Sequence, residues 1–394
     1  MINVSQSPTD PDFVQNPYLF YERMRKASPV CLWDDYNMQA VFAHDMVSAL
    51  LKDRRLGREK PDHLKTDIPE HLAPFYDVEA HSMLELEPPR HTRLRGLVLR
   101  AFTSRRIESL AQDIESLAHD LIDACPKDSF DLLPHIASKL PVIVIARLLG
   151  VSEEMSDHLL KWSNDMVMMY QARRTRAHED QAVRSTQEFV AFMRKYVDEK
   201  RKRPADDLIT HLIAAEQDGE RLSTDELITT CILLLNAGHE ATVHTFGNGV
   251  KTLLEAEQPI PDFNIPEQAA RTVEEILRYD PPLHIFTRYV YEDVALGGHL
   301  FEKGQEIALV LGATGRDETV WEQAERFDPT RPIKKNTAFG GGLHFCVGAP
   351  LARLELMVGL RVLFERFPSL RLAASPKYAN IYHFHGLDSL PVEV

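Results

Sequence analysis

The spacing of apolar and polar residues predicts a mainly helical chain with a small β region. Apolar residues recur with helical periodicity from residue 91 to 123, through the 130s to the 210s, and in GAPLARLELMVGLRVLFERF near the end. FTRYVYEDVALGGHLFEKGQEIALVLG instead alternates and contains a Gly-Gly turn, and CLWDDYNMQAVFA has the pattern of a small hairpin. The C-terminal YHFHGLDSLPVEV also predicts strands.

The longest predicted helix lies in the middle of the chain. Residues Ser223–Glu226 form an S-x-x-E capping box, which marks a helix start. The apolar run LITTCILLLNAGHEATVHTFGNGVKTLLEAE follows, and about thirty helical residues span about 45 Å. Because this helix is apolar on nearly every side, we expect it to be central and buried.

Small side chains cluster at one turn of this helix. Ala237, Gly238 and Ala241 share a face, and Thr242 lies one turn beyond Gly238. A glycine inside a helix costs about 0.5–1 kcal/mol relative to alanine, so we expect a compensating role. Two roles remain open here: a trough for a planar or bulky group, or close packing of a second helix.

Composition indicates one soluble fold. The chain has 394 residues, 44% of them hydrophobic, and contains no internal repeat or flexible linker. We therefore expect a single domain over residues 1–394. No segment approaches the roughly 18 apolar residues of a membrane span, and the polar N-terminus does not look like a signal peptide. These features predict a cytoplasmic protein without a membrane anchor.

Charge argues against nucleic acid as the main partner. Lys and Arg total 45 against 59 Asp and Glu, which gives a net charge of −14, whereas phosphate binding requires a basic face. Arginines nevertheless crowd the segment from Arg93 to Arg106. This cluster is either a solvated surface or a contact for an acidic partner.

The cysteines direct attention to one loop. Four cysteines lie far apart without a C-x-x-C pair, so a zinc ribbon or a redox dithiol is not encoded. Cys346 lies in FGGGLHFCVGAP, directly before a predicted helix N-terminus, which should lower the pKa of its thiol. The thiolate is then either a nucleophile with His344 as base or the single protein ligand of a haem iron.

These segments, taken in chain order, resemble the cytochrome P450 family, in particular its soluble bacterial members. The loop matches the signature F-x-x-G-x-H-x-C-x-G, and LARLE after it continues the family's L-A-R-x-E. The chain also contains A-G-x-[DE] at residues 237–240, E-x-x-R at 275–278, E-P-P-x-H-x-R-x-R at 87–95 and F-x-P at 327–329. The matches keep the family order from about residue 10 to the end.

The resemblance implies a P450 fold with haem b between the long central helix and the helix after the cysteine loop. Cys346 would be the thiolate ligand of the iron. Glu275 and Arg278 would join a buried network that fixes the loop. Further cofactor-binding positions, which line the haem, tune the thiolate or pair with the propionates, would be His91, Arg95, Ala237, Gly238, Arg288, Phe339, Gly340, His344 and Gly348.

One catalytic position departs from the family pattern. The acid Glu240 is followed by Ala241, where the family usually has a threonine, and the hydroxyl comes one residue later at Thr242. A rotation of about 100° per residue moves that hydroxyl around the helix. We expect proton delivery to involve Glu240 together with one further proton carrier. This carrier would be Thr242, an ordered water or a hydroxyl of the substrate.

The implied function is a monooxygenase. It would insert one oxygen atom from O2 into a lipophilic small molecule. We expect no fused reductase or ferredoxin module, so the electrons would come from an external ferredoxin and ferredoxin reductase that draw on NAD(P)H. Three alternatives stay open: a peroxygenase driven by H2O2, which Ala241 favours and Glu240 disfavours, a non-enzymatic haem or ligand carrier, and a cysteine hydrolase.

The substrate pocket is expected to be apolar. The resemblance directs attention to the loop at residues 62–86 and to three further regions, whose methionines could adapt to ligand shape. The candidate pocket residues are Leu233, Ala237, Leu283, Ile285, Phe286, Met166 and Met169.

Overall fold

The computed structural model describes residues 2–171, 174–215, 219–256, 258–381 and 384–394. Helices dominate these residues, as the apolar periodicity predicts. In chain order they are α1 Pro11–Gln15, α2 Tyr18–Ala27, α3 His44–Leu50, α4 Ala73–Glu79, α5 Arg90–Ala101, α6 Ser104–Ser109, α7 Ala111–Asp123, α8 Lys139–Leu149, α9 Ser156–Val167, α10 Arg176–Lys202, α11 Leu208–Ala214, α12 Thr224–Glu255, α13 Pro266–Tyr279, α14 Leu311–Thr314 and α15 Ala349–Arg366.

Short strands form the β region. They are β1 Ile2–Val4, β2 Val30–Trp33, β3 Met38–Val41, β4 Leu56–Gly57, β5 Ser129–Asp131, β6 Ile285–Val290, β7 Val294–Leu296, β8 His299–Phe301, β9 Glu306–Val310, β10 Arg371–Leu372, β11 Lys377–Tyr378, β12 Leu387–Ser389 and β13 Pro391–Glu393. The largest sheet has the order β1-β2-β3-β9-β6-β4. Its β2–β3 and β6–β9 pairs are antiparallel, which confirms the predicted hairpin and the predicted strands after Pro281.

The capping box starts the long helix as predicted. The Ser223 hydroxyl accepts from the backbone N–H of Glu226, and the Glu226 carboxylate accepts from the backbone N–H of Ser223. Helix α12 then runs without a break to Glu255. Its residues from Thr242 to Val250 are all buried, so the helix is central, as its apolar surface requires.

The helical pattern from residue 91 to 123 is divided into three helices. Phe102 leaves helical geometry at the end of α5, and the Thr103 hydroxyl accepts from the N–H of Arg106 to cap α6. Helix α7 begins directly after Leu110. Periodicity alone does not show these breaks, because apolar residues keep the same spacing on both sides of them.

The helices around α12 and the largest sheet have separate hydrophobic cores. Helices α8, α9, α10, α13 and α15 all contact it, and their apolar side chains share one large core cluster. The β6–β9 part of the sheet has a separate small core. Among the described residues, no helix is both long and apolar enough to cross a membrane.

Candidate functional site

The cysteine loop is a tight turn that depends on glycine. Gly340 and Gly342 have φ angles of +68° and +66°, a region that residues with a side chain rarely adopt. A Cβ atom on Gly342 would lie 2.3 Å from the carbonyl oxygen of Leu51, so that position has no space for one. The backbone N–H of Cys346 donates to the Phe339 carbonyl at 3.0 Å and closes the loop.

Backbone donors surround the sulfur of Cys346. The N–H groups of Gly348 and Ala349, at the start of α15, donate to Sγ and lower the pKa of the thiol. Burial raises this pKa more strongly, so the net direction is upward. Our expectation of a lowered pKa is therefore wrong for the free thiol, because burial outweighs the helix N-terminus. A metal cation at Sγ would favour the thiolate.

A large cavity extends between the cysteine loop and α12. Its floor includes Phe339, His344, Cys346 and Gly348, and the opposite wall includes the small-residue turn of α12. Other lining residues come from α5, α8 and β6, as well as from the segment before β6. The fold therefore brings together positions that lie more than a hundred residues apart in the sequence.

The small-residue turn both faces the cavity and allows a close helix contact. Ala237, Gly238 and Ala241 all line the cavity. A Cβ atom on Gly238 would lie 2.9 Å from Cδ1 of Ile145, so the missing side chain also lets α8 approach closely. The trough and the helix contact therefore coexist at one turn.

The residues expected to hold propionates all line the cavity. They are His91, Arg95, Arg288 and His344. Burial, with the nearby charges of His344 and Arg95, lowers the pKa of His91 to about 4, so this imidazole is neutral at pH 7. His91 Nδ1 is buried without a hydrogen-bond partner in the described part of the chain. Haem carboxylates would supply that partner, so the cavity fits haem.

Three of these four groups already have protein partners, and Arg288 Nη1 donates to the carbonyl of its neighbour Thr287 at 2.8 Å. His344 Nε2 lies 2.9 Å from Oε1 of Glu87, and Arg95 Nη2 donates to the Phe345 carbonyl at 2.6 Å. No hydrogen bond joins His344 to Cys346 among the described residues. A cysteine–histidine nucleophilic pair, the basis of the hydrolase alternative, is therefore not formed.

Glu240 lies beside the cavity and close to two histidines. Its carboxylate oxygens are 3.5 Å from His244 Nε2 and 3.8 Å from His239 Nδ1. Burial raises the pKa of Glu240, but the hydrogen bond from His244 and the charges of both histidines outweigh burial and lower it. Glu240 itself does not line the cavity, whereas Ala241 and Thr242 do.

The nearby hydroxyls donate to backbone carbonyls of α12. Thr242 Oγ1 donates to Gly238 at 2.8 Å, and Thr245 Oγ1 donates to Ala241 at 2.7 Å. Both threonines line the cavity and can still accept a hydrogen bond there. The sequence reasoning missed Thr245, although it lies one turn beyond Ala241 on the same face.

Glu275 and Arg278 form the buried network that the resemblance implies. Both are almost fully buried, and Arg278 donates from Nε and Nη2 to the two Glu275 oxygens at 2.7 Å. Arg278 also donates to the carbonyls of Ala324 and Arg326, and Glu275 accepts from the N–H of Asp328 at 2.7 Å. The pair fixes the chain that leads to the cysteine loop.

The predicted substrate pocket is partly wrong. Leu233, Ala237, Leu283 and Phe286 line the cavity. Met166 and Met169 do not line it, because their side chains pack into the helical core, where Met166 Sδ accepts from Asn236. Ile285 also points elsewhere, toward the cluster of β2, β3 and α2, since neighbouring strand residues face opposite sides.

Arg58 and Tyr170 are two of the polar lining residues that were not predicted. Both line the cavity beside Met83 and Leu84, in agreement with the expectation that the loop at 62–86 contributes. Arg58 lies before that loop and Tyr170 after α9. Nothing in the local sequence marks either of them, because their position in the cavity depends on tertiary packing.

Comparison with known proteins decides the family. The cytochrome P450 family model matches residues 12–257 and 269–377. The chain belongs to the cytochrome P450 family. It is therefore a haem-thiolate monooxygenase, a class in which iron is held by a single cysteine, as the loop around Cys346 allows.

Named P450 relatives cover nearly the whole chain. The polyketide biosynthesis cytochrome P450 PksS of Bacillus subtilis (strain 168) is 34% identical, with 98% of each chain covered. The 6-deoxyerythronolide B hydroxylase of Saccharopolyspora erythraea is also 34% identical, with 96% of each covered. The crystal structure of P450BioI with acyl carrier protein ligated to hexadec-9Z-enoic acid superposes with a TM-score of 0.90 at 31% identity, over 97% of this chain and 99% of that one.

Proposed function

We propose that the protein inserts one oxygen atom from O2 into a lipophilic small molecule, with electrons delivered by an external ferredoxin and its NAD(P)H-dependent reductase. The observation that supports this most strongly is the position of Cys346 at the floor of an apolar cavity, with a small-residue wall opposite. The resident group would be haem b, and the protein would act as one domain in the cytoplasm.

The chain's own residues would hold the haem and shape its two faces. Cys346 would ligate the iron, and the N–H groups of Gly348 and Ala349 would stabilise the thiolate. His91, Arg95 and Arg288 would bind the propionates. The chemistry supplied by the bound haem is reductive cleavage of O2, with one atom entering the substrate and the other leaving as water after uptake of two electrons and two protons.

Proton supply would depend on Glu240. Its lowered pKa keeps the carboxylate ionised at pH 7, so Glu240 can accept a proton beside the cavity, 3.5 Å from His244 Nε2. Because Ala241 has no hydroxyl and the Thr242 hydroxyl donates to the Gly238 carbonyl, the group that donates the proton to oxygen would be a water or a substrate hydroxyl.

Glu240→Gln separates the oxygenase from the peroxygenase. With ferredoxin, reductase and NADPH, we expect the variant to oxidise substrate about 10²-fold more slowly than the wild type and to release more H2O2. If the protein is an oxygenase, its turnover with H2O2 alone should be slow in both the wild type and Glu240→Gln, so the substitution should change that rate little. Incorporation of label from ¹⁸O2 in the wild type would support the proposal.

Two results would contradict it. Faster oxidation with H2O2 alone than with the complete electron-transfer system would indicate a peroxygenase. Haem binding without ligand-dependent NADPH consumption, across ligands that shift the haem spectrum, would indicate a carrier. The control is His211→Gln, which changes an exposed histidine remote from Glu240 along the chain.

A further inference from the structure

The cavity carries one strong hydrogen-bond donor that the proposed mechanism does not use. Arg58 follows strand β4 and lines the cavity beside Met83, Leu84 and Tyr170. Its Nη2 donates to Glu85, whereas its Nε is buried without an acceptor in the described part of the chain. A guanidinium has five N–H donors, so most of the donor capacity of Arg58 is unused.

The surroundings hold this donor in place. The backbone N–H of Arg58 donates to Glu87 Oε1 at 2.7 Å, and Glu87 in turn contacts His344. Tyr170 donates its hydroxyl to Glu79 at 3.1 Å on the other side. The side chain of Arg58 is only 18% exposed, so little rotamer entropy remains to be lost when a ligand binds.

The charged side chains near Arg58 determine which kind of ligand acceptor can bind to it. Arg58 and Arg288 are the two cations here, and Glu85, Glu87 and Glu306 supply three negative charges close to them. Burial and the nearby Glu85 raise the pKa of Glu79 to about 8, so Glu79 is mostly uncharged at pH 7. A ligand carboxylate would enter a region whose positive charge is already balanced, and it would be repelled.

We propose that Arg58 anchors the uncharged carbonyl group of a lipophilic substrate, such as an ester, lactone or ketone, in preference to a carboxylate. The inference rests on the proposed function, because it assigns a substrate class to the same cavity. An uncharged carbonyl accepts the free N–H without adding negative charge, and the adjacent Met83 and Leu84 suit the apolar remainder.

Three probes of equal chain length test this preference. Binding of methyl dodecanoate, dodecanoate and dodecane to the haem-loaded protein would be measured by equilibrium dialysis and by the shift of the haem band at pH 7. We expect the ester to bind about tenfold or more tightly than the alkane, as one hydrogen bond from a charged donor predicts. We also expect the ester to bind more tightly than the acid.

Arg58→Lys identifies the donor. Lysine keeps the positive charge beside Glu85 but lacks the planar guanidinium group with its several N–H donors. We therefore expect the preference for ester over alkane to fall about tenfold, while the affinity for the alkane stays unchanged. Arg55→Lys is the matched control, because Arg55 lies three residues earlier and its ion pair with Asp53 is outside the cavity. This control should bind all three probes as the wild type does.

Several outcomes would overturn the inference. These are equal affinity for the three probes, tighter binding of the acid, failure to bind the ester, or an unchanged ester preference in Arg58→Lys. If Arg58→Lys instead lowers haem content and leaves the ester preference intact, Arg58 serves a haem carboxylate. The proposed function has separate readouts, the carbon monoxide spectrum and ligand-dependent NADPH consumption, and would stand if they remain normal.

Discussion

His385 shows how burial controls the charge of a single side chain. It is 8% exposed and stacks on Tyr378 at 3.8 Å between ring centroids. Burial, followed by the charges of Lys251, Arg316 and His244, lowers its pKa to about 3. The imidazole therefore stays neutral in the folded protein at pH values where an unfolded histidine, with a pKa of about 6.5, is protonated.

We predict that His385 contributes to acid sensitivity. Its pKa is lower in the folded state, so its contribution to stability is complete above about pH 6.5 and is lost as the pH falls toward 3. In His385→Gln, the loss of unfolding free energy between pH 7 and pH 5 should be smaller by about 1–2 kcal/mol. Urea unfolding at both pH values measures this difference.

The control for this experiment is an exposed histidine. His63→Gln should leave the pH dependence of unfolding unchanged, because His63 is exposed. If His385→Gln loses as much unfolding free energy as the wild type on acidification, the imidazole is not kept neutral by burial, and the account of this residue is wrong.

Helix α13 places a buried and an exposed ion pair on one element. Glu275 and Arg278 are 2% and 1% exposed, whereas Glu267 and Arg271 are 71% and 36% exposed. Removing one partner of a buried pair leaves an uncompensated charge, which costs about 3–5 kcal/mol. An exposed pair contributes about 0–1 kcal/mol. Loss of a glutamate–arginine pair is therefore expected to cost much more stability on the buried face of α13 than on its exposed face.

We predict that Glu275→Gln destabilises the protein by about 3–5 kcal/mol and lowers haem retention, because Arg278 loses its counter-charge and the segment at Asp328 loses an acceptor. Glu267→Gln is the matched control on the same helix and should change the unfolding free energy by less than about 1 kcal/mol. Urea unfolding and haem content per protein measure both. Equal effects of the two substitutions would show that the network does not fix the loop.

The elements were predictable where local sequence determines them. The capping box at Ser223, the apolar length of α12 and the Gly-rich turn before Cys346 are local features, and the structure has all three. The orientation of a side chain at an element end is not local. Met166 and Met169 pack into the core, and Arg58 enters the cavity, because of how separate helices and strands meet.

At the scale of the whole molecule, the arginine-rich segment contributes less free charge than its sequence suggests. Arg93 forms ion pairs with Glu220 and Glu226, and Arg106 pairs with Asp206. Arg95 lines the cavity. Most of the predicted patch is therefore neutralised or buried.

Two arginines of this segment remain available to a partner. Arg100 and Arg105 are exposed, and neither forms an ion pair within the described ranges. Arg100 is on the same helix as Arg95, whose side chain donates to the Phe345 carbonyl next to Cys346. An acidic ferredoxin would be attracted to these two charges.

We predict that the double variant Arg100→Glu and Arg105→Glu slows reduction by ferredoxin about tenfold or more at low ionic strength, with a smaller effect in high salt. Ligand binding should not change. Stopped-flow reduction measures the rate, and Arg203→Glu, an exposed arginine just after α10, is the control. A rate that is insensitive to the double variant would exclude this segment as the docking surface.

The account depends most on the bond between Cys346 and a haem iron. The direct measurement is the difference spectrum of the reduced, haem-loaded protein with and without carbon monoxide. We predict the red-shifted Soret band of thiolate ligation in the wild type and its loss in Cys346→Ser. Cys125→Ala, which removes a partly buried cysteine just after α7, should keep the band. A fully haem-loaded wild-type protein without the red-shifted band, or a Cys346→Ser variant that retains it, would contradict the account.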